Sequence, residues 1–206
     1  MPPLFITFEG QEGAGKSTQI KMLYDFLLNR GANVILTRDP GGTDIAEKIR
    51  RVLKDRGNDA ISKKTEALLY IAARAQLVDE VIAPHLAADG IVLCDRFTDS
   101  TIAYQGFGNS IDIDRLADIS NFASKNLVPD ITFLLNISPE AGLARKAVYK
   151  ELDRIEAKAL SYHKAVKAGY DFLAARHPQR IITVDGELAP GEVHEIIKNH
   201  VCELLF

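Results

Sequence analysis

Leu4-Phe5-Ile6-Thr7-Phe8-Glu9 runs directly into Gly10-Gln11-Glu12-Gly13-Ala14-Gly15-Lys16-Ser17-Thr18, and the order of these two pieces decides how the chain folds. The first is a continuous apolar run, the form taken by a strand buried on both faces of a parallel sheet. The second carries glycine at its first and sixth places and then Lys16-Ser17, which is the P-loop pattern. Its glycines let the backbone wrap closely around phosphate oxygens and aim successive N–H groups inward. A helix opening near Lys16 turns its positive dipole end toward the same anion. Lys16 is then placed to reach the β- and γ-phosphates of a nucleotide and Ser17 to ligate Mg²⁺. A glycine-rich turn that binds nothing is the plain alternative, and the strand before and helix after it weigh against that. Gly10, Gln11, Glu12, Gly13, Ala14, Gly15, Lys16, Ser17 and Thr18 are the residues expected around ATP.

Outward from this stretch, four more apolar segments recur at 34–37, 91–94, 131–137 and 181–184, each followed by a helical pattern. Residues 16–29 carry Ile20, Leu23, Leu27 and Leu28 at helical spacing, closed by Gly31. Residues 65–88 form a longer amphipathic face, in which Pro84 predicts a kink or break. Residues 154–176 and 191–205 read as two further helices. Alternating strands and helices imply right-handed crossovers and an open, doubly wound α/β sheet of five parallel strands. With no repeat, low-complexity tract or linker, a single domain over 1–206 is expected. Ligands in such sheets bind at the carboxyl ends of the strands, which directs attention to the residues after Glu9, Arg38, Asp95, Ile137 and Asp185.

Composition narrows the partners. The net charge is only −3, from 25 Lys and Arg against 28 Asp and Glu, so no global basic field suggests nucleic acid. The two cysteines, Cys94 and Cys202, are far apart and do not form a secreted disulfide framework. The N-terminus lacks a leader pattern, and no apolar run reaches membrane-span length. A cytoplasmic location without membrane association is the simplest expectation. The five histidines show no zinc-ligand spacing.

The acceptor side is read from the next two strand ends. Thr37-Arg38-Asp39-Pro40-Gly41-Gly42-Thr43 is a turn headed by an arginine able to hold an incoming phosphate; an ordinary turn with a solvated arginine is the alternative. Asp95-Arg96-Phe97 places opposite charges beside the P-loop, suited to Mg²⁺ handling by Asp95 and phosphate binding by Arg96, or else to a buried ion pair. Ser100, Thr101, Tyr104 and Gln105 follow as polar groups able to read a base or sugar. The guanine-reading Asn-Lys-x-Asp motif of GTPases is absent.

These motifs, with Tyr70-Ile71-Ala72-Ala73-Arg74-Ala75-Gln76, Tyr104-Gln105-Gly106 and Glu151-Leu152-Asp153-Arg154-Ile155-Glu156, occur in the order and spacing of bacterial thymidylate kinases, which the chain resembles along essentially its whole length. The resemblance implies the three-layer P-loop NTPase fold, five parallel strands flanked by helices, with a small lid at about 141–156. It implies Mg²⁺-dependent transfer of the ATP γ-phosphate to dTMP, on the way to dTTP, by a homodimer. It puts Tyr70 on the face of thymine, Arg74 and Thr101 on the base edge, and Tyr104 against the sugar's 2′ position. Arg38 and Arg96 fall on the acceptor phosphate, and Glu12 on the acceptor sugar and reaction centre. Tyr70 as a core aromatic and Arg74 as a surface charge are the bland readings of those two.

The chain departs from the family pattern in places. Asp39 replaces Glu, Phe97 replaces Tyr, and Tyr149-Lys150 stand where Gly preceded by Arg is usual. A P-loop of this form goes, in that family, with a catalytic lid arginine, which would stabilise charge on the transferring phosphoryl group. Lys150, Arg145 and Lys146 are the alternatives here, with Arg154 also available, and stacking of Arg145 on adenine would remove it. The expected catalytic set is Lys16, Glu12, Arg96 and Arg145 or Lys150. The rival activities are a kinase of dUMP, dCMP or another monophosphate, and a nucleotide-binding regulator without turnover.

Overall fold

The computed structural model describes residues 2–147 and 153–205. Five strands, β1 (Leu4–Gly10), β2 (Val34–Arg38), β3 (Ile91–Asp95), β4 (Ile131–Asn136) and β5 (Ile181–Asp185), form one parallel sheet in the order β2-β3-β1-β4-β5. β1 is buried along its whole length, as its unbroken apolar run requires. Successive side chains alternate between faces. Leu4, Ile6 and Phe8 enter one core with Leu23, Leu27, Ile197 and Val201 of α1 (Lys16–Leu28) and α9 (Pro190–Leu205). Phe5 enters the opposite layer with Leu77, Val78, Val92 and Phe97. The first crossover carries the chain from β1 past β3 to β2, and a later one returns it past β1 to β4. β1 is therefore the switch point, and its carboxyl end is where a ligand crevice opens.

Register aligns the strand ends. Arg38 and Phe8 flank Asp95 in adjacent strands, so the acceptor turn, the P-loop and the Asp95-Arg96 pair emerge on one rim. α2 (Asp44–Lys54) starts at Thr43, whose hydroxyl accepts the Ala46 N–H, and α3 (Lys63–Leu77) starts at Ser62, which caps Thr65 in the same way.

The helix expected over 65–88 is one path with a widened turn instead of a break. A π-helical turn at Val78–Ile82 precedes α4 (Ala83–Ala87), and the Ala83 N–H donates to the Val78 carbonyl five residues back. Pro84 lacks an N–H and its ring would crowd the carbonyl four residues earlier; widening the preceding turn relieves both. A second wide segment, Ile102–Gly108, follows the short α5 (Thr98–Thr101) and packs against α8 (Leu160–Arg176). Two helices whose bounds the sequence pattern did not give, α6 (Ile113–Ala123) and α7 (Pro139–Ala147), precede and follow β4.

The helix expected from 154 begins only at Leu160. Residues 153–158 form a capped turn: Asp153 Oδ1 accepts the N–H groups of Ile155 and Glu156, and Glu156 Oε2 accepts that of Asp153. Backbone donors satisfied this way do not propagate a helix. Among the described residues, no helix is long and apolar enough to cross a membrane.

Candidate active site

The P-loop closes around a point in front of α1. Gly13 has φ 73°, and a Cβ there would lie 2.2 Å from the Gly142 carbonyl oxygen of α7; glycine alone permits both the conformation and the approach. α1 has no side-chain N-cap and no acidic residue in its first turn, so no side chain competes with an anion for its N-terminal amides. Lys16 is 7% exposed and donates to the carbonyls of Gly10 (2.9 Å) and Gln11 (2.7 Å). Burial, reinforced by Arg96, lowers its pKa to about 8. The Gln11 side chain turns away and donates to the His163 carbonyl, so Gln11 offers only backbone to a phosphate.

Arg96 occupies the centre. Its backbone is left-handed, φ 72°, a costly conformation for a side-chain-bearing residue and one that clusters at functional sites. Its Nη2 donates to Glu12 Oε1 at 2.7 Å, and Nη1 to Gly10 O, Ser100 Oγ and Tyr170 OH. Although burial opposes it, Arg96, followed by Lys16, holds the Glu12 carboxyl well below the usual range. Tyr104 lies under the Arg96 guanidinium, 4.9 Å from Cζ to ring centre, and donates to Glu12. The alternative of an Asp95–Arg96 ion pair is not what forms. Ser17 Oγ stands 3.4 Å from Asp95 Oδ2, while Asp95 Oδ1 is buried without a hydrogen-bond donor among the described residues.

Arg74 is 1% exposed, which removes the reading of a surface charge. Its Nε meets Asp39 Oδ2 at 2.5 Å, and Nη2 donates to Phe97 O and Thr101 Oγ1. Its Nη1 is buried with no acceptor among the described residues. One turn earlier, half-buried Tyr70 also faces the cleft. Arg38 stands exposed at the lip, held by Glu47. Ser100 and Gln105 also line the cleft, with partners of their own: Ser100 Oγ is engaged by Glu9 and Arg96, and the Gln105 amide donates to Glu66.

Over this cleft lies α7. Arg145 Nη1 donates to Gly186 O in the loop after β5, whereas Lys146 Nζ lies 4.0 Å from Glu12 Oε2 and 3.2 Å from Glu156 Oε1. Lys150 lies outside the described residues. Arg154 is corrected from a free lid cation to a buried tie: it is 7% exposed, pairs with Glu66 at 2.8 Å and donates from Nε to Leu53 O. A guanidinium held by a buried carboxylate and a helix-end carbonyl is not free to move onto a phosphate.

The result is one cleft of about 720 Å³, lined by Glu12 to Thr18, Arg38, Tyr70, Arg74, Asp95, Arg96, Ser100, Thr101, Tyr104, Gln105 and Arg145; Gly10 and Gln11 stand behind it. Its lining holds eight Lys or Arg against four Asp or Glu, in a chain whose net charge is −3. The cleft is thus a local cationic focus suited to phosphates. Arg50, Lys54 and Asp153 also line it without having been singled out as site residues. Arg50 and Lys54 lie four apart on the helix that follows the acceptor turn, a spacing that puts both on one face and could have revealed them.

A family model described as thymidylate kinase matches residues 8–197. The chain belongs to the thymidylate kinase family. Thymidylate kinase from Chlorobaculum tepidum is 46% identical over 203 residues, covering 94% of each chain. That from Roseiflexus castenholzii is 49% identical over 195 residues, covering 88% of this chain and 85% of the relative. The crystal structure of thymidylate kinase from Ehrlichia chaffeensis superposes with a TM-score of 0.78 at 33% identity, covering 97% of this chain and 99% of that one. Thymidylate kinase membership agrees with the sheet order and with a P-loop facing an aromatic and arginine-lined pocket.

Proposed function

We propose that this protein is a thymidylate kinase, transferring the γ-phosphoryl group of ATP to dTMP to give ADP and dTDP, with dTMP held in the cleft opposite the P-loop. The observation that carries the reading is that the phosphate cradle and the Tyr70, Arg74 and Tyr104 pocket share one cleft, with Arg96 between them. Tyr70 offers a ring face to the base, and Arg74 Nη1, buried without an acceptor among the described residues, is the donor left for its edge. Arg38 and Arg96 take the acceptor phosphate, Glu12 and Tyr104 the sugar side, and Gly10 to Thr18 the phosphates of ATP. An acceptor phosphate oxygen attacks the γ-phosphorus in line, the bond to ADP breaks, and no covalent enzyme intermediate is needed. Positioning and charge neutralisation by Lys16, Arg96 and a lid cation supply the catalysis.

The donor set near Ser17 fits a hydrated Mg²⁺, because the buried Asp95 Oδ1 has lone pairs and no partner among the described residues. Ser17 and Asp95 would hold the ion, which would neutralise charge on the ATP phosphates. Residues 141–156 act as the lid, and Lys146 is its cation at the reaction centre, since it alone of the two α7 cations faces Glu12. The chain works as one domain, in the cytoplasm, without nucleic acid or membrane. A homodimer is supported by Leu68 on α3 and Ile119 and Phe122 on α6, which are 53%, 41% and 86% exposed on helices that pack together.

Release of ADP by the purified protein with ATP and Mg²⁺ is expected to depend on dTMP and to be much weaker with dUMP, dCMP or no acceptor. A clear preference for another monophosphate would overturn the acceptor assignment. Nucleotide binding without acceptor-dependent release would identify a regulator instead.

A further inference from the structure

Glu9, the residue between the β1 core and the P-loop glycine, is 1% exposed and belongs to none of the roles above. Its two oxygens do different work. Oε1 accepts backbone N–H groups from Phe97 (2.8 Å) and Ser100 (3.3 Å). Oε2 accepts the hydroxyl hydrogens of Ser100 (2.6 Å) and Tyr170 (2.8 Å). Those same hydroxyl oxygens, 2.9 Å apart, take hydrogen bonds from Arg96 Nη1 at 3.2 and 3.0 Å.

A hydroxyl has one hydrogen and two lone-pair directions. With both hydrogens drawn onto the Glu9 carboxylate, Ser100 and Tyr170 can only present lone pairs to the guanidinium. The carboxylate thereby fixes the polarity of both contacts, though it does not touch Arg96 itself. We infer that Glu9 and Tyr170 are positioning residues that hold Arg96 in place for the acceptor phosphate, by orienting the two hydroxyls that receive its hydrogen bonds. This rests on the assignment of Arg96 to the acceptor phosphate. The surrounding charges are consistent with a device that is held under tension: burial, then Asp99, pushes the Glu9 pKa up to about 7 against the opposing pull of Arg96.

The inference makes a demand that a packing role would not. In Glu9→Gln, the two backbone N–H donors at Oε1 require the amide oxygen there, so the NH₂ group must occupy the Oε2 position. It then donates to both hydroxyls. One of their hydrogens can pass to the other hydroxyl, and the remaining one is turned onto Arg96, donor against donor. The side chain's shape is preserved and only the polarity is reversed.

The test compares binding of dTMP with binding of thymidine, which lacks the phosphate, by calorimetry on the whole protein. Glu9→Gln is expected to weaken dTMP about tenfold, the size of a lost hydrogen bond to a charged group, while leaving thymidine and ATP affinity near wild type. Tyr170→Phe should weaken dTMP less, with the two substitutions not additive. Equal losses for thymidine and dTMP, or unchanged dTMP binding in both variants, would overturn the inference; Tyr170→Phe decides alone should Glu9→Gln fail to fold. Arg96→Ala, measured in parallel, separates the two levels. If it leaves the dTMP-to-thymidine ratio unchanged, the acceptor-phosphate assignment itself fails. If it collapses the ratio and the relay variants do not, only the relay fails.

Discussion

Arg145 and Lys146 are neighbours in sequence, yet α7 sends them to different ends of the cleft. An arginine would be the better partner for a planar phosphoryl group, but at this position its guanidinium is turned to the Gly186 carbonyl. Lys146→Ala is therefore expected to lower kcat about a hundredfold with little change in the KM for ATP, as for loss of one transition-state contact. Arg145→Ala should instead raise the KM for ATP and leave kcat nearly unchanged. Steady-state kinetics of the two variants check this directly, and the reverse pattern would exchange the assignments. Residues of this site were legible where the chemistry is written in consecutive positions, as from Gly10 to Thr18, or at Asp95 and Arg96. Glu9 and Tyr170 were not, because their meaning lies in a contact spanning 161 positions. Arg154 misled for the same reason: an arginine in a basic stretch looks free until the buried Glu66 from another helix is beside it.

The elements followed from periodicity where it was strong, and failed where local hydrogen bonding or a neighbouring element intervened. The five strands were apparent from their continuous apolar runs, with ends differing by one or two residues. The wide turn of Ile102–Gly108 has no period of its own and exists by virtue of α8. Gly169 is what lets the two approach: a Cβ there would lie 2.8 Å from Ala103 Cα and 3.0 Å from the Phe107 ring. The next residue, Tyr170, is the one that reaches Arg96, so this packing also sets the site. Gly169→Ala would ordinarily favour a helix, but here it forces α8 outward. A loss of about 1–3 kcal/mol in denaturant unfolding is expected from the overpacking, together with weaker dTMP binding. Unchanged stability would mean that the two segments can slide apart without consequence.

At the scale of the whole molecule, the chain carries a small negative charge and concentrates positive charge at one end of its sheet. That arrangement draws phosphates into the crevice at the switch point and leaves the remaining surface acidic. It also requires carboxylates to be buried beneath the cations, and Glu9 is among them. Its pKa rises from an ordinary 4.5 to about 7, chiefly by burial and then by Asp99. Between those values the folded protein holds a proton that the unfolded chain has released, so stability must fall as pH rises through the window. Above about 7 both states are ionised and the slope vanishes; below about 4.5 both are protonated. The unfolding free energy of wild type minus that of Glu9→Gln removes the titrations that Glu9 does not influence. The difference is expected to decline from pH 4.5 to 7, by up to about 1.4 kcal/mol per pH unit, and to be flat above. A flat difference throughout would place the Glu9 pKa at its ordinary value. A difference that rises with pH would mean that Arg96 and the two hydroxyls more than offset the burial. A decline is what the fold predicts, since the anion that orients the Arg96 contacts is the form that burial opposes, and functional sites are where such local costs are retained.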